Sequence, residues 1–174
     1  AVAAPAVAAT PVALPTPSAH WTFDEGSGTT AADASGNAHT ATLQGAAAWG
    51  TGKVGAHSLS LTAGGNATAP VPVVDTSAAF SVSAWVNLAQ LGGYQTAVSI
   101  DGKVVSAFYL GLRDDTGTFA FARLASDATQ GAAVAAAASA PLAGTWTHLV
   151  GVNDPSAGVT RLYVNGVLEG ETAY

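Results

Sequence analysis

From His20 onward, apolar residues recur at every second position in short runs separated by glycine, asparagine, aspartate and proline. Successive side chains of a strand point to opposite faces, so this period marks strands with one buried side. The pattern predicts strands at 20–24 (HWTFD), 39–44 (HTATLQ), 47–50 (AAWG), 58–62 (SLSLT) and 66–71 (NATAPV), the last two forming a pair. The clearest run is 80–88 (FSVSAWVNL). It puts Phe80, Val82, Ala84 and Val86 on one face and Ser81, Ser83, Trp85 and Asn87 on the other. Further strands are predicted at 94–101, 107–113, 118–125, 146–154, 160–166 and 167–174. DDTG (114–117), PSAG (155–158) and Asn165-Gly166 read as hairpin turns, because Asp, Asn and Gly tolerate positive φ.

One segment resists the pattern. Gly131–Ala140 (GAAVAAAASA) favours helix, since alanine loses no side-chain entropy there. A helix that short is marginal in water, so the segment is read as strand or irregular chain. The resulting fold class is all-β, an antiparallel sandwich.

Composition narrows the function classes. Charged residues make up 9% of the chain and the net charge is −6. The five cations, Lys53, Lys103, Arg113, Arg123 and Arg161, are scattered, whereas nucleic acid and anionic membrane surfaces require clustered positive charge. With no cysteine there is no disulfide framework and no thiolate chemistry. No apolar run reaches the length needed to span a bilayer. Residues 1–18 carry Pro5, Pro11, Pro15 and Pro17 among small apolar residues and read as an extended tail or linker, leaving 19–174 as one globular domain. Such a start is what remains after removal of a signal peptide, so the expected location is extracellular.

Several blocks then coincide with a known family. His20-Trp21-Thr22-Phe23-Asp24-Glu25-Gly26-Ser27-Gly28, followed by Asp33-Ala34-Ser35-Gly36-Asn37-Ala38-His39, resembles the opening of bacterial laminin-G-like modules. Phe80–Val86 matches their central strand, and Trp146–Val152 with Leu162–Gly166 their late hairpin. The resemblance implies a concanavalin A-like jelly roll, with Trp21, Trp85 and Trp146 at core positions; Trp49, in a Gly-flanked turn region, is the one left open. In the family, a glycine-rich strand and a closing Asp-Asp-x-Arg-x-Tyr strand follow the Val-Asn-Gly strand. The sequence ends at Tyr174, which leads to the expectation of a C-terminally incomplete jelly roll whose open sheet edge invites self-association.

Three kinds of site suggest themselves. Asp24 and the Asp33–Asn37 loop offer hard oxygen donors of the sort Ca²⁺ accepts, and the resemblance implies a structural calcium with Asp24, Asp33 and Asn37 as ligands. The same residues also suit a plain Asx-type turn. For a sugar, whose apolar face stacks on aromatics while planar polar groups fix its hydroxyls, the candidates are Tyr94, Gln95, Tyr109, Arg113 and Arg123. Tyr109 and Arg113 fall on one strand face by alternation. For catalysis the case is weak. Glu25, Glu169 and Glu171 are the only glutamates; the last two share a strand face, without the intervening aspartate of jelly-roll glucanases. The four histidines lack zinc spacing, and no nucleophile-elbow motif is present.

The sequence thus points to a secreted, non-catalytic module that binds a polysaccharide or cell-surface glycan. A structural module assembling by strand complementation with the N-terminal tail is the rival, and a glycanase ranks third.

Overall fold

The computed structural model describes residues 15–62 and 64–174. The predicted tail therefore lies mostly outside the described residues. Thirteen strands are present and, among the described residues, no helix. In the N-terminal part these are β1 (Thr30–Ala31), β2 (Ala41–Gln44), β3 (Ala47–Thr51), β4 (His57–Leu61) and β5 (Asn66–Thr68). Then follow β6 (Phe80–Val86), β7 (Gln95–Asp101), β8 (Ser106–Leu112), β9 (Phe119–Leu124), β10 (Ala132–Ala136), β11 (Thr147–Asp154), β12 (Val159–Val164) and β13 (Val167–Ala173).

Two four-stranded antiparallel sheets, ordered β10-β9-β8-β7 and β13-β12-β11-β6, carry the core between them. Leu110 and Leu112 of β8 lie opposite Phe121 and Phe119 of β9, Phe108 joins them in the same cluster, and Leu149 and Leu162 complete it from the second sheet. The rings of Phe80, Phe108 and Phe121 meet with centroids 5.3–6.0 Å apart. The alternation read in 80–88 holds: Phe80, Val82 and Val86 pack on this core.

The alanine run is a strand for a packing reason. β10 is the edge of one sheet and runs against β13, the edge of the other, with Thr172 Oγ1 donating to the Val134 carbonyl at 2.7 Å. A Cβ on Gly170 would sit 2.5 Å from the Ala136 oxygen. Only small side chains fit such a seam, and tertiary packing overrides helix propensity.

Two strand assignments differ from the sequence reading. Residues 20–24 form no strand; Trp21 makes one bridge to Asp33, and Phe23 has φ 53°. The Asp33 carboxylate captures the His20 N–H, a donor that a neighbouring strand would otherwise use. The 58–62 and 66–71 segments also do not pair with each other. β4 pairs with β3 and β5 with β2, because residues 41–68 form a single bent hairpin around the Gly52–Ala56 turn. The outer pair β2–β5 belongs to a three-stranded sheet with β1. The bend falls at Gly45, where an added Cβ would meet the Gly64 oxygen at 2.2 Å.

One tryptophan also differs from expectation. Trp85 is 43% exposed, on the same outer face as Ser81 and Ser83, with its ring 5.1 Å from that of His148 and Lys53 above it. Trp49 is half-buried and donates to the Gly28 carbonyl at 2.9 Å.

Candidate functional site

The β6–β7 loop and the β8–β9 hairpin come together at one end of the sandwich. Gly92 and Gly93 take φ of 105° and 71°, values that suit only glycine at low cost, and they swing the chain into Tyr94. Asp114 Oδ1 accepts the Gly93 N–H at 2.8 Å and ties the hairpin to the loop. Gln95 Nε2 folds back onto the carbonyls of Gln90 and Gly92 at 3.1 and 2.9 Å. The Arg113 guanidinium is forked onto Asp115, with Nε to Oδ1 at 2.9 Å, and stands 5.7 Å from the Tyr94 ring centroid. The hydrogen bond to Asp115 holds the guanidinium above its ordinary pKa and the carboxyl below the usual range, so both stay charged. Tyr94 itself is 63% exposed. The result is an aromatic face presented to solvent beside a fixed cation, on a loop pinned from two sides.

Three of the five predicted ligand residues, Tyr94, Gln95 and Arg113, are therefore gathered, with Gln95 acting as a loop staple. The other two lie elsewhere. The Tyr109 hydroxyl accepts the Ser106 N–H at 2.9 Å and borders a shallow pocket with Asp101 and Val104. Arg113 follows directly on β8, its N–H donating to the Thr118 carbonyl at 3.0 Å, so the alternation that puts it on the strand face of Tyr109 carries through. Arg123 lies in register with Phe108 and stacks its guanidinium on the Tyr174 ring at 4.5 Å.

The predicted calcium ligands serve as loop staples. Asp24 Oδ1 accepts the N–H groups of Ala56 and His57, both at 2.7 Å. Asp33 Oδ1 accepts from the His20 and Ser35 N–H groups, and its Oδ2 from Ser35 Oγ and the His39 N–H. Asn37 Nδ2 and Ser35 Oγ both point at the Ser18 carbonyl. Asp24 Oδ1 and both Asp33 oxygens thus accept N–H or O–H groups of the loops, and no group of three or more acidic or histidine side chains gathers among the described residues. The loops are held by their own donors, an arrangement that closes without a cation. Desolvation pushes the Asp33 carboxyl up, but the hydrogen bonds from His20, Ser35 and His39 outweigh it and leave the group well below the usual carboxylate range. A carboxyl lowered on folding adds stability that is complete above its unfolded pKa and drains away as pH falls towards the folded value. Asp33→Asn should lower the melting midpoint at pH 7 by several degrees and flatten the acid limb. EDTA should leave the wild-type midpoint unchanged; a drop on chelation, seen by calorimetry, would restore calcium.

The glutamates do not form an acid pair. A bulge in β13 leaves Glu169 without a partner in the register, between Leu168 opposite Tyr163 and Gly170 opposite Leu162. Bulges turn a side chain away from the regular face. Glu171 thus pairs with Arg161 Nε at 2.6 Å on the outer face, while Glu169 lines a groove of about 220 Å³ with Phe119, Ala137 and Val164. The expectation that they share a face fails at this bulge. Glu25 lies far away in the chain and accepts the Ala32 N–H.

An antiparallel sandwich with aromatic and polar groups on the loops at one end is the architecture of lectin-type modules. Residues 61–174, more than half of the chain, match the laminin-G family model described as the concanavalin A-like lectin/glucanases superfamily. The protein belongs to that superfamily. Among solved structures it is similar to domain 4 of AbnA, a GH43 extracellular arabinanase from Geobacillus stearothermophilus, in complex with arabinotriose. That match has 21% identity and a TM-score of 0.60, over 90% of this chain and 74% of the other. It is also similar to residues 221–444 of an S-layer domain-containing protein from Clostridium thermocellum, with 27% identity and a TM-score of 0.57, over 90% of this chain and 72% of the other. None of the curated proteins compared with the chain matches it.

Proposed function

We propose that this domain is a non-catalytic carbohydrate-binding module of an extracellular protein, an accessory that holds a polysaccharide or cell-surface glycan. The observation that carries the reading is the exposed Tyr94 ring, pinned at the end of a lectin-type sandwich beside the Arg113–Asp115 fork. Such a ring stacks on the C–H face of a sugar, and the guanidinium supplies hydrogen-bond donors to its hydroxyls. The similar arabinanase domain, itself seen with arabinotriose, supports the reading, as does its extracellular parent. Separation of Glu169 from Glu171 supports a binding role over a hydrolytic one, since glycosidases need two facing carboxyls.

The test is retention on insoluble polysaccharides together with titration of soluble oligosaccharides. Tyr94→Ala is expected to weaken binding about tenfold, or ~1.4 kcal/mol, with an unchanged melting midpoint. Retention on no glycan at all would remove the reading. Self-association is a second reading, favoured by β6, a seven-residue strand at the edge of its sheet. A monodisperse monomer on size exclusion at high concentration would count against it.

A further inference from the structure

The eleven acidic side chains offer an internal comparison. Asp24, Glu25 and Asp33 staple the N-terminal loops, and Asp75 caps its own turn through Ser77. Asp101 takes the Ser106 hydroxyl, Asp114 the Gly93 N–H and Asp115 the Arg113 fork. Asp127 gathers three N–H groups of residues 103–105, and Asp154 and Glu171 share Arg161. Glu169 alone makes no hydrogen bond or ion pair among the described residues. It is also the residue that the β13 bulge lifts out of register, and it borders the groove at the end of the sandwich that bears Tyr94. Glu169 is exposed, and a carboxylate with no partner in the chain, set by a bulge beside a concavity, is free to accept hydrogen bonds from a ligand there.

The groove defines the chemistry of that partner. Its lining is mostly apolar, with Ala137, Leu142 and Val164 among it, and includes the hydroxyls of Ser139 and Thr145 beside the Glu169 carboxylate. The volume of about 220 Å³ is of the order of one sugar ring. A carboxylate accepts two hydrogen bonds side by side, which matches adjacent hydroxyls on a ring whose C–H face rests on the apolar lining. No lysine or arginine borders the groove, and the protein carries a net charge of −6, so a uronate or sulfated sugar would meet repulsion with no cation to receive it.

We propose that this groove is a subsite for a single neutral sugar unit of a glycan, with Glu169 as the acceptor for a vicinal diol. The proposal rests on the glycan-binding reading above and adds to it both a second contact point and a charge preference. Tyr94 and the groove are at the same end, since Gln95 and Phe119 both lie in register with Leu112.

The experiment titrates the whole chain, by calorimetry and by ¹H–¹⁵N chemical shifts, with neutral trisaccharides of the arabino, xylo, galacto and cello series and with trigalacturonate. Wild type should bind at least one neutral trisaccharide, with shifts at Phe119, Thr145 and Glu169, and trigalacturonate should shift none of these three. Glu169→Gln should weaken that binding about tenfold, and Ala140→Trp, which fills the groove from an exposed lining position, should abolish it, both with native-like spectra. Binding that survives both substitutions but is lost in Tyr94→Ala would overturn the groove subsite and leave the broader reading standing. Binding to none of the sugars would overturn both. Trigalacturonate shifting Phe119, Thr145 and Glu169 as strongly as the neutral sugars would overturn the charge preference and with it the role given to Glu169.

Discussion

Replacing Gly151 with alanine is expected to lower stability by about 3 kcal/mol, the upper part of the usual range for overpacking a core. The thermal midpoint should fall by roughly 10 °C for a chain of this size. Gly151 lies in the middle of β11, in register with Val82 on one side and Leu162 on the other. A Cβ there would stand 2.3 Å from Cδ2 of Phe121 and 2.6 Å from its Cγ. The ring has nowhere to go, because Phe121 is fully buried and packed against Phe80 and Phe108. Combining the change with Phe121→Leu separates this clash from a general intolerance of the strand. The double variant should be clearly more stable than the sum of the two single losses predicts, since residues in contact do not contribute independently. Strict additivity in urea melts would mean that the pressure falls elsewhere.

The second large effect is expected at Asn153. This side chain is 1% exposed; its Nδ2 donates to the Ala78 carbonyl at 2.7 Å, and its Oδ1 accepts from the Tyr174 hydroxyl at 2.8 Å. Asn153→Asp preserves the shape but replaces the donor with a second acceptor, facing a carbonyl, and places a negative charge out of water. The loss at neutral pH should be about 3 kcal/mol, the scale of an uncompensated buried charge, somewhat lessened by the guanidinium of Arg123 stacked on Tyr174. The sign with pH is the reverse of that at Asp33. Burial raises the folded pKa of the new carboxyl above its unfolded value, so the penalty is absent below the unfolded pKa and complete above the folded one. The variant should therefore approach wild-type stability near pH 4 and fall behind as pH rises. A pH-independent deficit in chemical denaturation would show that shape, not charge, sets the cost.

The sequence discloses the two main sheets because their strands obey a single rule. Between Phe80 and Ala173 most runs alternate and are bounded by residues that favour turns, and apart from β6, whose partner is the distant β11, each strand pairs with its neighbour in the chain. The N-terminal part hides its pairing, since period 2 says that 58–62 and 66–71 are extended but not which neighbour each will choose. That choice is made by the Gly52–Ala56 turn and by the corner at Gly45. The stretch 20–24 looks like a strand by composition, yet its backbone is claimed by the Asp33 side chain, a capture at long range that spacing does not reveal. For the candidate site, Tyr94 and Arg113 are legible as an exposed aromatic and a cation near turns, and the hairpin brings them together. Arg123 is not, because alternation along β9 puts it in register with Phe108 and the core side. Trp85 was legible by the same alternation, which places it with Ser81 and Ser83; the family expectation of a core position pointed the other way. Glu169 could not be found from spacing at all, since one inserted residue in the ladder changes the direction in which it points.

The pairing of β6 has a consequence for how the protein is made. Its neighbour β11 begins about sixty residues later in the chain, whereas the bent hairpin of residues 41–68 closes on itself over short distances. As the polypeptide leaves the ribosome, the N-terminal hairpin has all its partners at hand, while β6 must wait, with Phe80, Val82 and Val86 uncovered, until most of the domain has been translated. The serines at 81 and 83 then serve as more than solvent-facing filler, because polar residues alternating with the apolar ones make the waiting segment a poorer template for intermolecular stacking.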